Sequence, residues 1–154
     1  MAKTKKQSAG ILLYRSTDSE PEVFLVHPGG PFWKNKDEGA WTIPKGEFDD
    51  SEDPLLAAIR EFKEETGFNI KGEFIPLGSI QQKAGKTVYA WAIAGDIDET
   101  NIKSNFFEME WPPKSGKKMS FPEIDKGGWF IPAEAQQKIN ATQSAFIDEL
   151  LYKI

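Results

Sequence analysis

Residues 46–68 read GEFDDSEDPLLAAIREFKEETGF, and the fold turns on how this stretch is interpreted. Asp53 followed by Pro54 supplies an N-cap acceptor and a proline at the first helical position, where a missing N–H costs nothing. Thr66-Gly67 puts glycine where a left-handed residue ends a helix. The spacing therefore predicts a helix over Pro54–Thr66. At about 100° per residue, Leu55, Leu56, Ile59 and Phe62 fall in one sector and Arg60, Glu61, Glu64 and Glu65 in the opposite one. One packed face and one acidic face are expected.

That acidic face is electrostatically costly. Glu61 lies three residues from Glu64 and four from Glu65, and each like-charge pair costs roughly 0.2–0.5 kcal/mol in an isolated helix. Glu64 and Glu65 also occupy the last turn, where the helix dipole favours cations by about 0.3–1 kcal/mol. A bound divalent cation would account for acids placed there, since hard ions such as Mg²⁺ and Mn²⁺ take carboxylate oxygens. Arg60 and Lys63 can offset part of the repulsion too, so the helix alone leaves a plain solvated face as an equal alternative.

The residues around the helix tip the balance. The order Gly46, five residues, Glu52, seven residues, Arg60-Glu61-Phe62-Lys63-Glu64-Glu65-Thr66-Gly67-Phe68 resembles the Nudix signature at every fixed position. Seven such identities would coincide by chance about 10⁻⁸ times per register. The resemblance implies an α/β fold, a Nudix-type α/β/α sandwich with a mixed β-sheet. It also implies Mg²⁺- or Mn²⁺-dependent hydrolysis of a diphosphate bond in a nucleoside diphosphate linked to another moiety. Carried over, Glu64 and Glu65 are the main metal ligands, and Glu61 is a ligand or orients the attacking water. Arg60 bridges to Glu52 and holds the loop against the helix, and Lys45 presents a backbone carbonyl to the metal. Glu123, six residues before Trp129, resembles a loop glutamate that several Nudix enzymes bring to the metal as general base; Glu108 and Glu110 are its competitors.

The chemistry needs this set. Two phosphoryl groups repel an incoming water, and bound cations neutralise that charge, acidify the water and align it for in-line displacement. For the rest of the substrate, Phe32, Trp33, Tyr89 and Trp91 offer rings that could stack on a base, and Lys45, Lys83 and Lys86 offer ammonium groups for phosphates. The layout Ser8-Ala9-Gly10, Trp41 to Glu47 and Lys86 to Tyr89 looks like the diadenosine tetraphosphate hydrolase side of the family. Gly85 stands where those enzymes tend to carry a tyrosine, and Gln82 where many ADP-ribose hydrolases carry proline. A dinucleoside polyphosphate is the expected substrate, with nucleoside triphosphates, oxidised ones included, and a non-catalytic nucleotide-binding domain as alternatives. An acidic scaffold for a basic partner is a third, unspecific option.

The rest of the chain fits one domain over residues 1–154, with a tail at 1–6. Its 154 residues are enough for a sizeable core without staples, and it has no cysteine and one histidine, His27. Thiolate chemistry and His-rich metal sites are excluded. A net charge of −5 argues against a duplex-DNA binder, and no run of about 20 apolar residues suggests a membrane span. The apolar run Ala9 to Tyr14 is too short for a secretory signal, so a cytoplasmic location is expected, as monomer or homodimer. Ser8–Tyr14, Glu22–His27, Ala40–Ile43, Glu73–Ile80 and Thr87–Ala94 read as strands. Residues 100–122 read mainly as an irregular insertion, and Pro132–Leu151 as one or two helices.

Overall fold

The computed structural model describes residues 6–82 and 85–154. Lys83 and all but Lys6 of the expected tail lie outside them. The strands are β1 (Gln7–Arg15), β2 (Glu22–Pro28), β3 (Lys45–Phe48), β4 (Ile75–Gln81), β5 (Thr87–Ala94), β6 (Phe106–Glu110), β7 (Lys118–Pro122) and β8 (Ile124–Phe130). The helices are α1 (Pro54–Thr66), α2 (Pro132–Lys138) and α3 (Ser144–Lys153). Six strands make one mixed sheet in the order β4-β5-β1-β2-β8, with β3 pairing beside β1. The β1–β5 pair is parallel and the other pairs are antiparallel.

Alternation along the central strands divides the core. Ala9, Ile11 and Leu13 of β1 join Phe24, Val26 and Ile93 beneath Ala57, Ala58 and Phe62 of α1. Leu12, Leu25, Val88, Ala90 and Ala92 face the opposite way, towards Ala135, Ile139, Phe146, Ile147 and Leu150 of the C-terminal helices. Period two makes this division inevitable once both faces are covered, and the result is the expected α/β/α sandwich. No helix among the described residues is long and apolar enough to cross a membrane.

Three expectations need correction. Ala40–Ile43 is not a strand: Trp41 and Thr42 make only isolated bridges. The ladder forms beyond Pro44, at Lys45–Phe48. Gly10 allows this, because a Cβ there would lie 2.6 Å from the Pro44 carbonyl oxygen, which instead accepts the Ile11 N–H at 3.1 Å. The strand expected at Glu73 begins at Ile75. The stretch 100–122 is not mainly irregular, since β6 and β7 form a separate antiparallel hairpin within it. Its alternation of Phe107, Met109, Met119 and Phe121 with polar neighbours is a strand pattern that the Pro-Pro pair and the lysines at the tip had masked.

Candidate active site on the acidic helix

The ends of α1 follow the sequence signals. The Asp53 side chain accepts the Leu56 N–H at 3.1 Å, Pro54 takes the first turn, and Gly67 closes the helix at φ 83°, its N–H donating to Lys63 O at 2.7 Å. The rotation of the helix does not follow them. Its buried arc is Ala57, Ala58, Glu61, Phe62, Glu65 and Thr66, while Leu56, expected to pack, is 61% exposed. The two alanines let the helix lie close on β1, and β3 supplies the other wall. There Gly46 leaves the space: a Cβ on it would stand 2.0 Å from the Glu61 carboxyl group. The carboxylates are therefore drawn partly under the helix, not held on its outer face.

Arg60 organises this cluster. Its Nε and Nη2 donate to the two oxygens of Glu52 at 2.8 and 2.9 Å, a bidentate pair that ties the preceding loop to the helix. Its Nη1 donates to Glu61 Oε1 at 2.8 Å and to Glu64 Oε1 at 3.2 Å. The guanidinium holds Glu52 below the usual carboxylate range, and the carboxylates raise the pKa of Arg60 in turn. Glu61 is nevertheless pushed up, by burial first and by the charge of Glu64 second. Glu65, turned away from Arg60, accepts the Lys45 backbone N–H at 3.1 Å. Burial pushes it up to about 8.

Glu123 reaches this region from the far side. Its N–H donates to Asn105 O at 2.8 Å, the Asn105 N–H donates to Glu64 O at 3.0 Å, and the Glu123 carbonyl accepts the Gly29 N–H at 2.8 Å. A Cβ on Gly29 would lie 2.0 Å from the Pro122 carbonyl oxygen, so this close approach needs glycine. The relay of backbone bonds runs from the last turn of α1 through Asn105 to Glu123. Burial and the charge of Glu64 raise the Glu123 carboxyl above its ordinary value. Asn105 and Gly29 carry no side-chain signal as positioning residues, because they act through the main chain. Of the competitors, Glu110 accepts the Lys114 N–H at 2.7 Å and Glu108 is exposed on the hairpin.

The residues expected to bind substrate fall into three groups. Lys45 and Glu47 alternate with Gly46, so they point away from α1, and Lys86 pairs with Glu47 at 3.5 Å on that side. Burial, then the charge of Lys86, lowers the Lys45 pKa. Tyr89 lies on the α1 side, its ring 6.1 Å from Phe48. Trp91 is packed into the core beneath α1. Phe32 and Trp33 sit apart, on the exposed loop after β2, which the buried His27 anchors by hydrogen bonding through its two ring nitrogens with Asp125 Oδ1 and Lys36 O.

The sequence matches the NUDIX domain family over residues 4–150. The chain belongs to that family. Its NUDIX helix is α1. A curated relative, an RNA pyrophosphohydrolase of Rhizobium meliloti (strain 1021), is 30% identical over 104 residues, covering 58% of this chain and 57% of the relative's length. The chain thus spans little more than half of that protein. Among solved structures, a C. elegans Ap4A hydrolase binary complex superposes with a TM-score of 0.67 at 21% identity, covering 96% of both chains. The NUDIX domain of Shewanella oneidensis NrtR complexed with ADP ribose gives 0.68 at 14% identity, over 99% of this chain and 90% of that one. These likenesses establish the fold.

The donor set suits a hard divalent ion: carboxylates crowd one another beside the NUDIX helix, and Gly46 makes a cradle a side chain would fill. Among the described residues no three acids converge as a ready-made cage. Arg60 holds Glu61 and Glu64, and the Lys45 N–H holds Glu65.

Glu65 makes stability depend on pH. Its folded pKa of about 8 is raised above the ordinary 4.5, so the folded chain holds more protons than the unfolded one between those values. Stability without divalent ions is therefore greatest below the ordinary value and is lost as pH rises towards 8. Glu65→Gln removes the loss. Thermal unfolding in EDTA at alkaline pH should give the variant the higher melting temperature, with the advantage vanishing in mild acid. A difference independent of pH would contradict the assignment.

Proposed function

We propose that this NUDIX chain is a divalent-metal-dependent pyrophosphohydrolase. Its substrate is a nucleoside diphosphate linked to another moiety, with dinucleoside polyphosphates ahead of nucleoside triphosphates. The observation that carries the reading is the placement of Glu61 and Glu65 in the buried arc of α1, beside β3, with Glu64 and Glu123 electrostatically coupled to them. Carboxylates are rarely buried without a counter-ion or a task, because desolvating them is costly. The RNA pyrophosphohydrolase and the Ap4A hydrolase among the similar proteins support the same class of bond.

Glu61, Glu64, Glu65 and Glu123, with the Lys45 carbonyl, would hold the ion. Mg²⁺ or Mn²⁺, when bound, supplies charge neutralisation at the diphosphate and a more acidic water. The chain's own residues do the rest. Arg60 fixes the Glu52 loop and spreads positive charge between Glu61 and Glu64. Glu123, with its raised pKa and main-chain anchoring, is suited to accept a proton from water. Lys45 and Lys86 project from the face of the sheet away from these carboxylates and are left out of the proposed phosphate contacts.

A nucleotide panel with Mg²⁺ or Mn²⁺ in ¹⁸O-water, products read by mass spectrometry, tests the proposal; no cleavage of any nucleotide with either ion would overturn it. Glu64→Gln is expected to lower turnover by several orders of magnitude with the fold intact, and Glu123→Gln by roughly 10²-fold with loss of the acidic limb of the pH–rate profile. Gly46→Ala should act on Glu61 without touching its chemistry. Its unfolding should stay cooperative, while the rise in melting temperature expected for the native chain on adding Mg²⁺ should disappear. An unchanged response would show that the Glu61 cradle plays no part in ion binding.

A further inference from the structure

The hairpin and the loop after β2 form one surface that the proposed chemistry leaves unused. β6 and β7 pair Phe107 with Phe121 and Met109 with Met119, so these four side chains share a face. The Trp111 N–H donates to Lys117 O at 2.9 Å and carries the ladder to the tip. Glu123 follows directly on the other end. The loop runs beside this face: a Cβ on Gly30 would lie 3.0 Å from the Phe107 ring, and Phe32 stands edge-on to Trp111 at 5.5 Å and 82°. The outcome is an apolar strip that starts beside the acidic site and ends in two rings.

The strip is open and carries its own charge. Phe32 is 58% exposed and Met119 45%. Residues 31–36 (PFWKNK) and 111–118 (WPPKSGKK) contribute Lys34, Lys36, Lys114, Lys117 and Lys118 and no acid, in a chain of net charge −5. Lys36 Nζ lies 5.2 Å from the Trp33 ring centroid. The tip is a built turn: Glu110 accepts the Lys114 N–H at 2.7 Å, and the Ser115 N–H donates to Pro112 O at 3.1 Å. Exposed rings bordered by lysines match a base joined to phosphate, since any base offers a flat face for stacking.

We propose that Phe32 and Trp111, with Lys114 and Lys117, bind the second nucleoside of the substrate and its adjoining phosphate, the half that leaves when the diphosphate bond is cut. This rests on the hydrolase reading and narrows it. From the Glu123 end to Trp111 the hairpin runs five residues, roughly 17 Å at ~3.3 Å per residue. A substrate with one base cannot place a nucleoside near the metal ligands and another aromatic group on these rings; a dinucleoside polyphosphate can.

The chain has three methionines, Met1, Met109 and Met119, two of them on the strip. Methyl-¹³C methionine spectra, recorded with Mg²⁺ during titration by diadenosine tetraphosphate or by adenosine 5′-tetraphosphate, report on the strip directly. Phosphorus spectra of the same tube follow cleavage. The Met109 and Met119 signals should move with the dinucleotide and much less with the mononucleotide. Phe32→Ala and Trp111→Ala should each raise KM for diadenosine tetraphosphate roughly 10-fold, well beyond their effect on adenosine 5′-tetraphosphate, with kcat nearly kept. Equal shifts for both ligands, or equal losses on both, would overturn the proposal. So would a change from dimer to monomer in sedimentation, which would make the strip a contact between copies of the chain. Selective methyl shifts without cleavage would sink the hydrolase reading and leave the strip standing; cleavage without selective shifts would do the reverse.

Discussion

The carboxyl group of Glu61 lying against the bare Cα of Gly46 is the contact on which the rest of the site depends. It brings an acid to the packed side of a helix, where burial penalises its charge, and every neighbour responds to that. Arg60 spans Glu52, Glu61 and Glu64, and Glu65 leans on a backbone N–H of β3. These partners compensate only part of the cost, since Glu61, Glu65 and Glu123 all keep raised pKa values. A compact positive charge bound there, as proposed, would offset what remains of that cost. A helix with the same acids on its solvent side would have no such demand.

How much of this could be read from the chain depended on whether the signal was local. The caps of α1 and the strand β5 are set by residues close in sequence and appear where expected, and the bridge from Arg60 to Glu52 that the resemblance implied is present. The rotation of the helix was not legible, because hydrophobicity assigns Leu56 to the core whereas Ala57 and Ala58 win the place by being small. The position of β3 was hidden for a related reason: Pro44 reads as a terminator, and only the missing side chain of Gly10 lets the chain cross there and pair. Glu123 could be suspected from its interval to Trp129. The main-chain links through Asn105 and Gly29 that hold it have no side-chain signature at all.

Charge is distributed unevenly across the molecule. Acids gather at the NUDIX helix, while the hairpin tip and the loop after β2 carry lysines among aromatic rings. A polyphosphate of the proposed kind would meet repulsion at the acidic end and attraction at the lysine end, a field that would orient it before contact. His27 matters here in a structural sense: buried between Asp125 and Lys36 O, it ties the aromatic loop to β2 and β8. Residues 32–39 of the loop are exposed, yet the bond from His27 to Lys36 O holds it in place.

The order of strands has a consequence for synthesis. β1 lies at the middle of the sheet, but its parallel partner β5 begins at Thr87, and β2 finds its outer neighbour only with Ile124–Phe130. As the polypeptide leaves the ribosome, its first two strands form a hairpin with unsatisfied edges, and these must stay out of trouble until most of the chain has emerged. Such delayed pairing is slow and prone to association between nascent chains. Growth temperature and expression rate should therefore govern the yield of native protein more than the strength of its finished core.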